Sequence, residues 1–129
     1  MAARLREQEI RAIHVLSAAD VAQQAERAPA AIIVPGTYRI KDASPGQALV
    51  TQKLDIICVV KTAAQTEAVE RARNAASPLV DRVLAALLGW APEGCSDVLT
   101  LTDSTYRPTF GPGTFNFPLA FAADVYLGV

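Results

Sequence analysis

Pro78-Leu-Val-Asp-Arg-Val-Leu-Ala-Ala-Leu-Leu-Gly-Trp-Ala-Pro-Glu-Gly94 carries the clearest structural signal in this chain. Leu79, Val80, Val83, Leu84, Leu87 and Leu88 recur at helical spacing and form one apolar stripe. Gly89 is a stop signal, because glycine alone enters a left-handed C-cap at little steric cost. Trp90 falls just past the helix end, and Pro92 keeps the helix from resuming. A buried helix ending in Leu-Leu-Gly-Trp-x-Pro is a packing device with no nucleophile, base or ligand set. The expectation is a protein that works by shape and assembly.

Working outward, composition sets the bounds. The 129 residues fit one domain, spanning 1–129, that buries roughly two-thirds of its unfolded surface. Apolar residues make up 51% and charged residues 19%, the balance of a globular core. A mean hydropathy of +0.23 is high for a small monomer. Either other subunits cover part of this surface, or abundant alanine inflates the average. The net charge of −1 gives no field that would gather nucleic acid or an anionic membrane. Cys58 and Cys95 have neither the density of a secreted disulfide scaffold nor zinc spacing. No signal-peptide core opens the chain, and no run approaches the ~20 apolar residues of a membrane helix. These features predict a soluble protein made in a reducing cytoplasm.

The remaining elements follow from periodicity and turn chemistry. Residues 2–13 read as a charge-rich helix contacting the core through Leu5, Ile10 and Ile13. Ser17, with Asp20 in the capping-box position, starts a second helix over about Ala18 to Arg27, closed by Pro29. Ala30 to Val34 is a buried strand bounded by Pro35-Gly36, which Tyr38-Arg-Ile40 extends past a kink. Lys41-Asp-Ala-Ser-Pro-Gly-Gln47 is expected to be a flexible loop. Leu49 to Lys61 is a long strand with Leu54, Ile56, Cys58 and Val60 on one face. Ile57 and Val59 break its alternation, so its middle is expected to be covered on both faces. Thr62 or Thr66 caps the major helix, which runs to about Leu88. Pro78 either kinks that helix or restarts it, with Ser77 as the cap. After Asp97 come Val98–Thr102, Thr105–Phe110, a turn at Gly111-Pro-Gly113 and a last strand from Phe115. Pro118 argues that this strand lies at an edge or is bulged. The class is α+β: a mostly antiparallel sheet packed against one long amphipathic helix, with short N-terminal helices.

Catalytic groups are scarce. His14 is the lone histidine, and its neighbours Ser17 and Asp20 sit where a helix cap belongs. No catalytic, cofactor-binding or metal-binding set is expected. Arg4, Arg6 and Arg11 interleave with Glu7 and Glu9, as on a solvated helix with its own ion pairs. Arg71, Arg73 and Arg82 fit a contact between subunits, since the apolar face of their helix is committed to its own sheet. Tyr38, Tyr106 and Phe110 flank loops and edges, where large rings either anchor interfaces or serve the core.

In order, several of these pieces resemble the tail-terminator proteins of long-tailed bacteriophages, the Mu-like branch in particular. They are Ser17-Ala-Ala-Asp-Val-Ala22, Ala31-Ile-Ile-Val-Pro35, Val50-Thr-Gln-Lys-Leu54, Val83-Leu-Ala-Ala-Leu-Leu-Gly-Trp-Ala-Pro92 and Ala123-Asp-Val125. Phe115 to Val129 is longer and more aromatic than the closing strand of that pattern. The resemblance implies a non-enzymatic virion protein without cofactors: a closed ring, of six copies, on the finished end of the tail tube. Its implied partners are further copies of itself, the tube protein, a head-proximal connector and, in a contractile tail, the terminal sheath ring. DNA only passes through the lumen, and no membrane is involved. The implied location is the tail neck of the virion, and the host cytoplasm during assembly. Tyr38, Arg39, Lys41, Asp42, Arg71, Tyr106, Arg107 and Phe110 are the candidate contacts with other subunits or the tube. A head-completion connector ring remains an alternative, as does a small ligand-binding domain or enzyme with a cleft near His14, Tyr38 and Arg39.

Overall fold

A computed structural model describes residues 1–62, 69–111 and 113–128. Helix α1 (Ala2–Glu7) leads into strand β1 (Ala12–His14) and a 3-10 segment (Ala18–Arg27). Two 15-residue strands follow, β2 (Ala30–Ser44) and β3 (Gln47–Lys61). Helix α2 (Val69–Leu87) precedes β4 (Thr100–Thr102), β5 (Thr109–Gly111) and β6 (Thr114–Gly128). The six strands form one sheet in the order β1-β2-β3-β6-β4, with β5 also paired to β6. Among the described residues only the β1–β2 pairing is parallel. The chain is therefore α+β with a mostly antiparallel sheet, as expected.

The middle of β3 is buried on both faces. Ile56, Cys58 and Val60 pack with Ala72, Ala76, Leu79, Val83 and Leu87 of α2 and with Phe115, Leu119 and Phe121 of β6. Ile57 and Val59 pack on the opposite face with Ile32 and Val34 of β2, Val21 of the 3-10 segment and half-buried Tyr106. The broken alternation in the sequence thus records a strand with a covering layer on each side.

Several local expectations change in the tertiary setting. Residues 12–14 leave the predicted first helix and pair in parallel with Ala31–Ile33. Helix α2 runs unbroken through Pro78, so no second start occurs at Ser77. The Ser77 hydroxyl instead donates back to the Arg73 carbonyl at 3.0 Å, a mid-helix bond. The donor that Pro78 lacks would have served Asn74, which is exposed and open to water. Thr66, expected as a cap, lies outside the described residues, as does Pro112 of the predicted turn. Leu88 is 50% exposed and leaves the apolar stripe, because the helix ends one residue earlier. Gly89 takes a φ of 79° and donates its N–H to the Leu99 carbonyl, and the half-buried Trp90 accepts from Leu99 N–H. The β6 strand is central and pairs with β3 without a register shift, against the expectation of an edge or a bulge. Its outer side is paired at 114–116 by β5 and at 120–122 by β4. Pro118 sits in the interval between them, where a residue without an N–H costs the sheet least.

The basic residues expected to decorate a solvated helix hold the chain together instead. Arg4 lies over the Trp90 ring at 5.7 Å and donates from Nε to the Ala86 carbonyl at the end of α2. Arg6 donates to Ala12, Arg11 to Arg27, and Arg82 to the carbonyls of both Gln8 and Glu9. A guanidinium has five donors in a fixed fork, so one side chain can satisfy several loop carbonyls. Arg82 is thereby engaged within its own chain. Among the described residues Arg4 makes the one intrahelical ion pair, with Glu7 at 3.8 Å.

Truncating Phe121, which is fully buried, to alanine is expected to cost about 3–5 kcal/mol of the ~5–15 kcal/mol typical of such folds. Leu127→Ala, at a side chain 46% exposed on the far half of the same strand, is expected to change stability by no more than about 0.5 kcal/mol. Urea unfolding followed by tryptophan fluorescence measures both. Equal losses would show that the far half of β6 is covered like the near half.

Candidate functional site

The long strands extend beyond their core. Burial in β2 ends at Val34, and every residue from Thr37 to Ser44 is exposed. Two register shifts interrupt its pairing with β3, between Pro35 and Tyr38 and between Ile40 and Asp42. At the first, β2 passes so close to β3 that a Cβ on Gly36 would run into the Lys53 carbonyl. Beyond it, Tyr38–Ser44, Gln47–Gln52 and Ala123–Gly128 continue as three paired strands. This is the segment expected as a loop over Lys41–Gln47. Lys41–Ser44 is strand, and the reversal is confined to Pro45-Gly46. Proline presets φ for the first turn position, and Gly46 supplies a φ of 81° at the second. Ser44, Ala43 and Asp42 then pair with Gln47, Ala48 and Leu49, and Lys41 is left over at the second shift.

Register sorts the side chains of this rib. Tyr38 and Ile40 lie opposite Gln52 and Val50, on the face that α2 covers further along. Both are 61% exposed, and Leu127 of β6 points to the same face. The other face carries Thr51 and Asp124, with Leu49 and exposed Tyr126 beyond them. Lys41 Nζ donates to Asp124 Oδ2 at 2.9 Å, and Thr51 Oγ1 donates to Asp124 Oδ1 at 2.8 Å. The Lys41 bond, then the Thr51 bond, hold the Asp124 carboxyl below its ordinary range. The same bond, with the charge of Asp124 and a smaller contribution from Asp97, raises the Lys41 ammonium. The backbone carbonyl of Asp124 accepts from both the N–H and the hydroxyl of Ser96, which ties the loop after Trp90 to the edge of β6.

The other candidate residues gather at the opposite end of the sheet. Tyr106 packs over Val21, Ile57 and neighbouring residues of the second core. Phe110 on β5 stacks against Phe115 with ring centroids 5.0 Å apart. Exposed Arg107 lies between them in sequence. Their connection is anchored by Ser104, whose hydroxyl donates to buried Asp55 at 2.9 Å and accepts from Tyr106 N–H at 3.1 Å. Beside it a groove of about 650 Å³ opens between α2 and the 103–108 connection. Exposed Arg71 stands apart on α2. The structure therefore divides the candidates into a rib group (Tyr38, Arg39, Lys41, Asp42) and an edge group (Tyr106, Arg107, Phe110), with Arg71 in neither. Ile40, Leu127 and Asp124 were missed as site residues. The alternation Tyr38-x-Ile40 was the available signal for the first.

His14 is exposed on β1, paired in register with Ile33. Ser17 Oγ donates to Asp20 Oδ2 at 3.5 Å, and Asp20 N–H donates to the Ser17 carbonyl, as at a helix start. Burial pushes the Cys58 thiol up to about 12 and also raises that of Cys95. Among the described residues no group of three or more His, Cys, Asp and Glu could hold a metal ion, and no helix is long and apolar enough to cross a membrane.

A family model described as phage tail terminator protein matches residues 1–129. The chain belongs to this family, whose members are structural proteins of the virion tail, and its role is structural, in tail completion. No curated protein matches the sequence significantly.

The polar clamp predicts a pH window. Asp124 titrates below its unfolded value, so its contribution is present above about pH 4 and is lost as pH falls through the lowered value. Lys41 titrates above its unfolded value, so its contribution is full below about pH 10 and is lost as pH rises past the raised one. At neutral pH, Asp124→Asn is expected to lower amide-exchange protection across Lys41–Ser44, with global stability close to wild type. Equal protection in the two proteins would show that the clamp holds nothing in place.

Proposed function

We propose that this tail terminator works as a closed ring, of six copies, seated on the finished end of the tail tube. The ring stops tube growth and presents a head-proximal surface to a connector. The observation that carries this reading is the rib: three paired strands that leave a packed core and hold Tyr38, Ile40 and Leu127 exposed on one face. Apolar side chains held rigidly in water mark a surface made to be covered. One heterologous contact repeated about an axis closes on itself and leaves no free interface.

In this reading residues 1–129 act as one domain. Tyr38, Arg39, Lys41, Asp42, Arg71, Tyr106, Arg107 and Phe110 contribute contacts between copies or with the tube. A contractile tail adds the terminal sheath ring as a partner, and DNA passes through the lumen. The ring forms in the host cytoplasm and ends in the tail neck. The work is done by steric blocking and surface matching, so no turnover is involved.

Light scattering and negative-stain imaging of the purified protein test this directly. The expected particle is a ring several times the 13.7 kDa monomer, at high concentration or on isolated tails. Removing the protein is expected to give tails of uncontrolled length. A chain that stays monomeric in solution and on tails would refute the ring. Tails of normal length beneath unfilled heads would place the protein at the connector instead.

A further inference from the structure

We infer that the ring contact runs from one flank of α2 to the other: Leu101 and Asp103 at the β4 edge of one copy seat in the pocket that Arg11, Lys61 and Arg82 rim on the next. This rests on the ring reading above and names the surfaces that would make it. The pocket, about 340 Å³, opens between α2 and the strand ends near β1. Ile10 and Leu79 lie buried in its floor, while Arg11, Lys61, Arg82 and Glu9 are exposed at its rim. None of the three cations enters an ion pair among the described residues, where the pairs are Arg4–Glu7 and Lys41–Asp124. Two of them are already held in place. Arg82 spends one nitrogen on the Gln8 and Glu9 carbonyls, and Arg11 spends one on the Arg27 carbonyl. Neutral carbonyls fix a guanidinium without balancing its charge, so an arriving carboxylate meets donors that are already oriented.

The matching surface is on the same chain. Residues 83–106 carry Glu93, Asp97 and Asp103 and no lysine or arginine. Asp97 lies with Thr51 and Asp124 on the sheet face away from α2. Asp103 is on the α2 side: it lines the groove with Arg73 and Ser77, exposed and outside any ion pair among the described residues. Leu101 shares that side, because it pairs in register with Phe121, which packs with α2 in the first core. Its side chain is 50% exposed, as is that of Leu88, which the Gly89–Leu99 backbone bond holds nearby. One flank thus offers apolar side chains beside an acid, and the other an apolar floor beneath a basic rim. The two surfaces complement each other in polarity and in sign of charge.

Position excludes an intramolecular fit. Strands β1 and β4 stand at the two ends of the order β1-β2-β3-β6-β4, about 19 Å apart at ~4.8 Å per strand. Helix α2 also separates the surfaces, with Ser77 and Val80 toward Asp103, and Pro78 and Arg82 toward the pocket. Surfaces that match and cannot meet in one molecule give a head-to-tail contact, the kind that generates rings. Strand addition between the sheet edges is the competing geometry. Both edge strands are only three residues long, so side chains rather than a backbone ladder make the contact.

The test uses the full chain in a Cys95→Ser background, with Cys58 buried and out of reach. Leu101→Cys and Ala75→Cys, the latter at the pocket, each replace an exposed residue, which keeps folding intact. The two variants are mixed and oxidised. The expected product is a covalent pair of twice 13.7 kDa in the mixture and in neither variant alone. Oligomers without a mixed cross-link, a cross-link between two Leu101→Cys copies, or one from Ala75→Cys to the tube protein would each overturn this contact while leaving the ring standing. A protein that never associates would remove both. As an independent arm, Lys61→Glu or Asp103→Lys alone is expected to weaken association about tenfold, and the two in one chain to restore most of it. Additive losses in the double variant would overturn the pairing.

Discussion

Two-sided burial of the middle of β3 is the constraint from which the rest of this structure follows. Alternate residues of one strand enter two cores: Ile56, Cys58 and Val60 under α2, and Ile57 and Val59 under the 3-10 segment and Tyr106. A strand that is apolar on both faces can be satisfied only by a layer on each. This places α1 and α2 on one side and the 3-10 segment with Tyr106 on the other. It also fixes register, because a slip of one residue would exchange the contents of the two cores. The buried Asp55 on the same strand is tolerable because Ser104 reaches it, and that bond in turn sets the 103–108 connection beside the groove.

The outer half of the sheet follows a different logic. Past Gly36 the cover over β2 ends while β2, β3 and β6 continue as paired strands, with Val50 and Ala123 still buried. Backbone hydrogen bonds alone hold a narrow ribbon weakly, and three strands are needed for independence from a core. Here the third strand is β6, and Asp124 fastens it to both others through Lys41 and Thr51. The rib can therefore keep Tyr38 and Ile40 in water without collapsing onto its own core, which is what a surface awaiting a partner requires.

Membership of the phage tail terminator family fits a chain in which many of the bonded polar groups serve its own architecture. Four arginines clamp backbone carbonyls, the buried carboxylate is bonded to a serine, and the two thiols are free and raised. What remains available is geometry: an apolar rib, a half-covered groove, and a few unpaired charges near each.

The sequence by itself determined the local pieces, because helical and strand periodicity, caps and turn residues act over a few neighbours. The end of α2 at Gly89, the burial of both faces of β3 and the bend at Pro35-Gly36 were legible for that reason. Lys41–Ser44 was not, since its charged, proline-flanked composition reads as loop while its strand state is imposed by β3 alongside it. The central place of β6 despite Pro118 and the parallel pairing of β1 were equally hidden, because backbone ladders join residues far apart with little regard to side chains. Of the candidate site, Tyr38 to Ile40 read as an extension of β2 past a kink, while Lys41 and Asp42 read as loop. Only the tertiary structure decided that Lys41 meets Asp124, 83 residues away, and that Tyr106 stands at the other end of the sheet. Such pairings depend on where the folded chain brings two segments together, and no local term in the sequence encodes that distance.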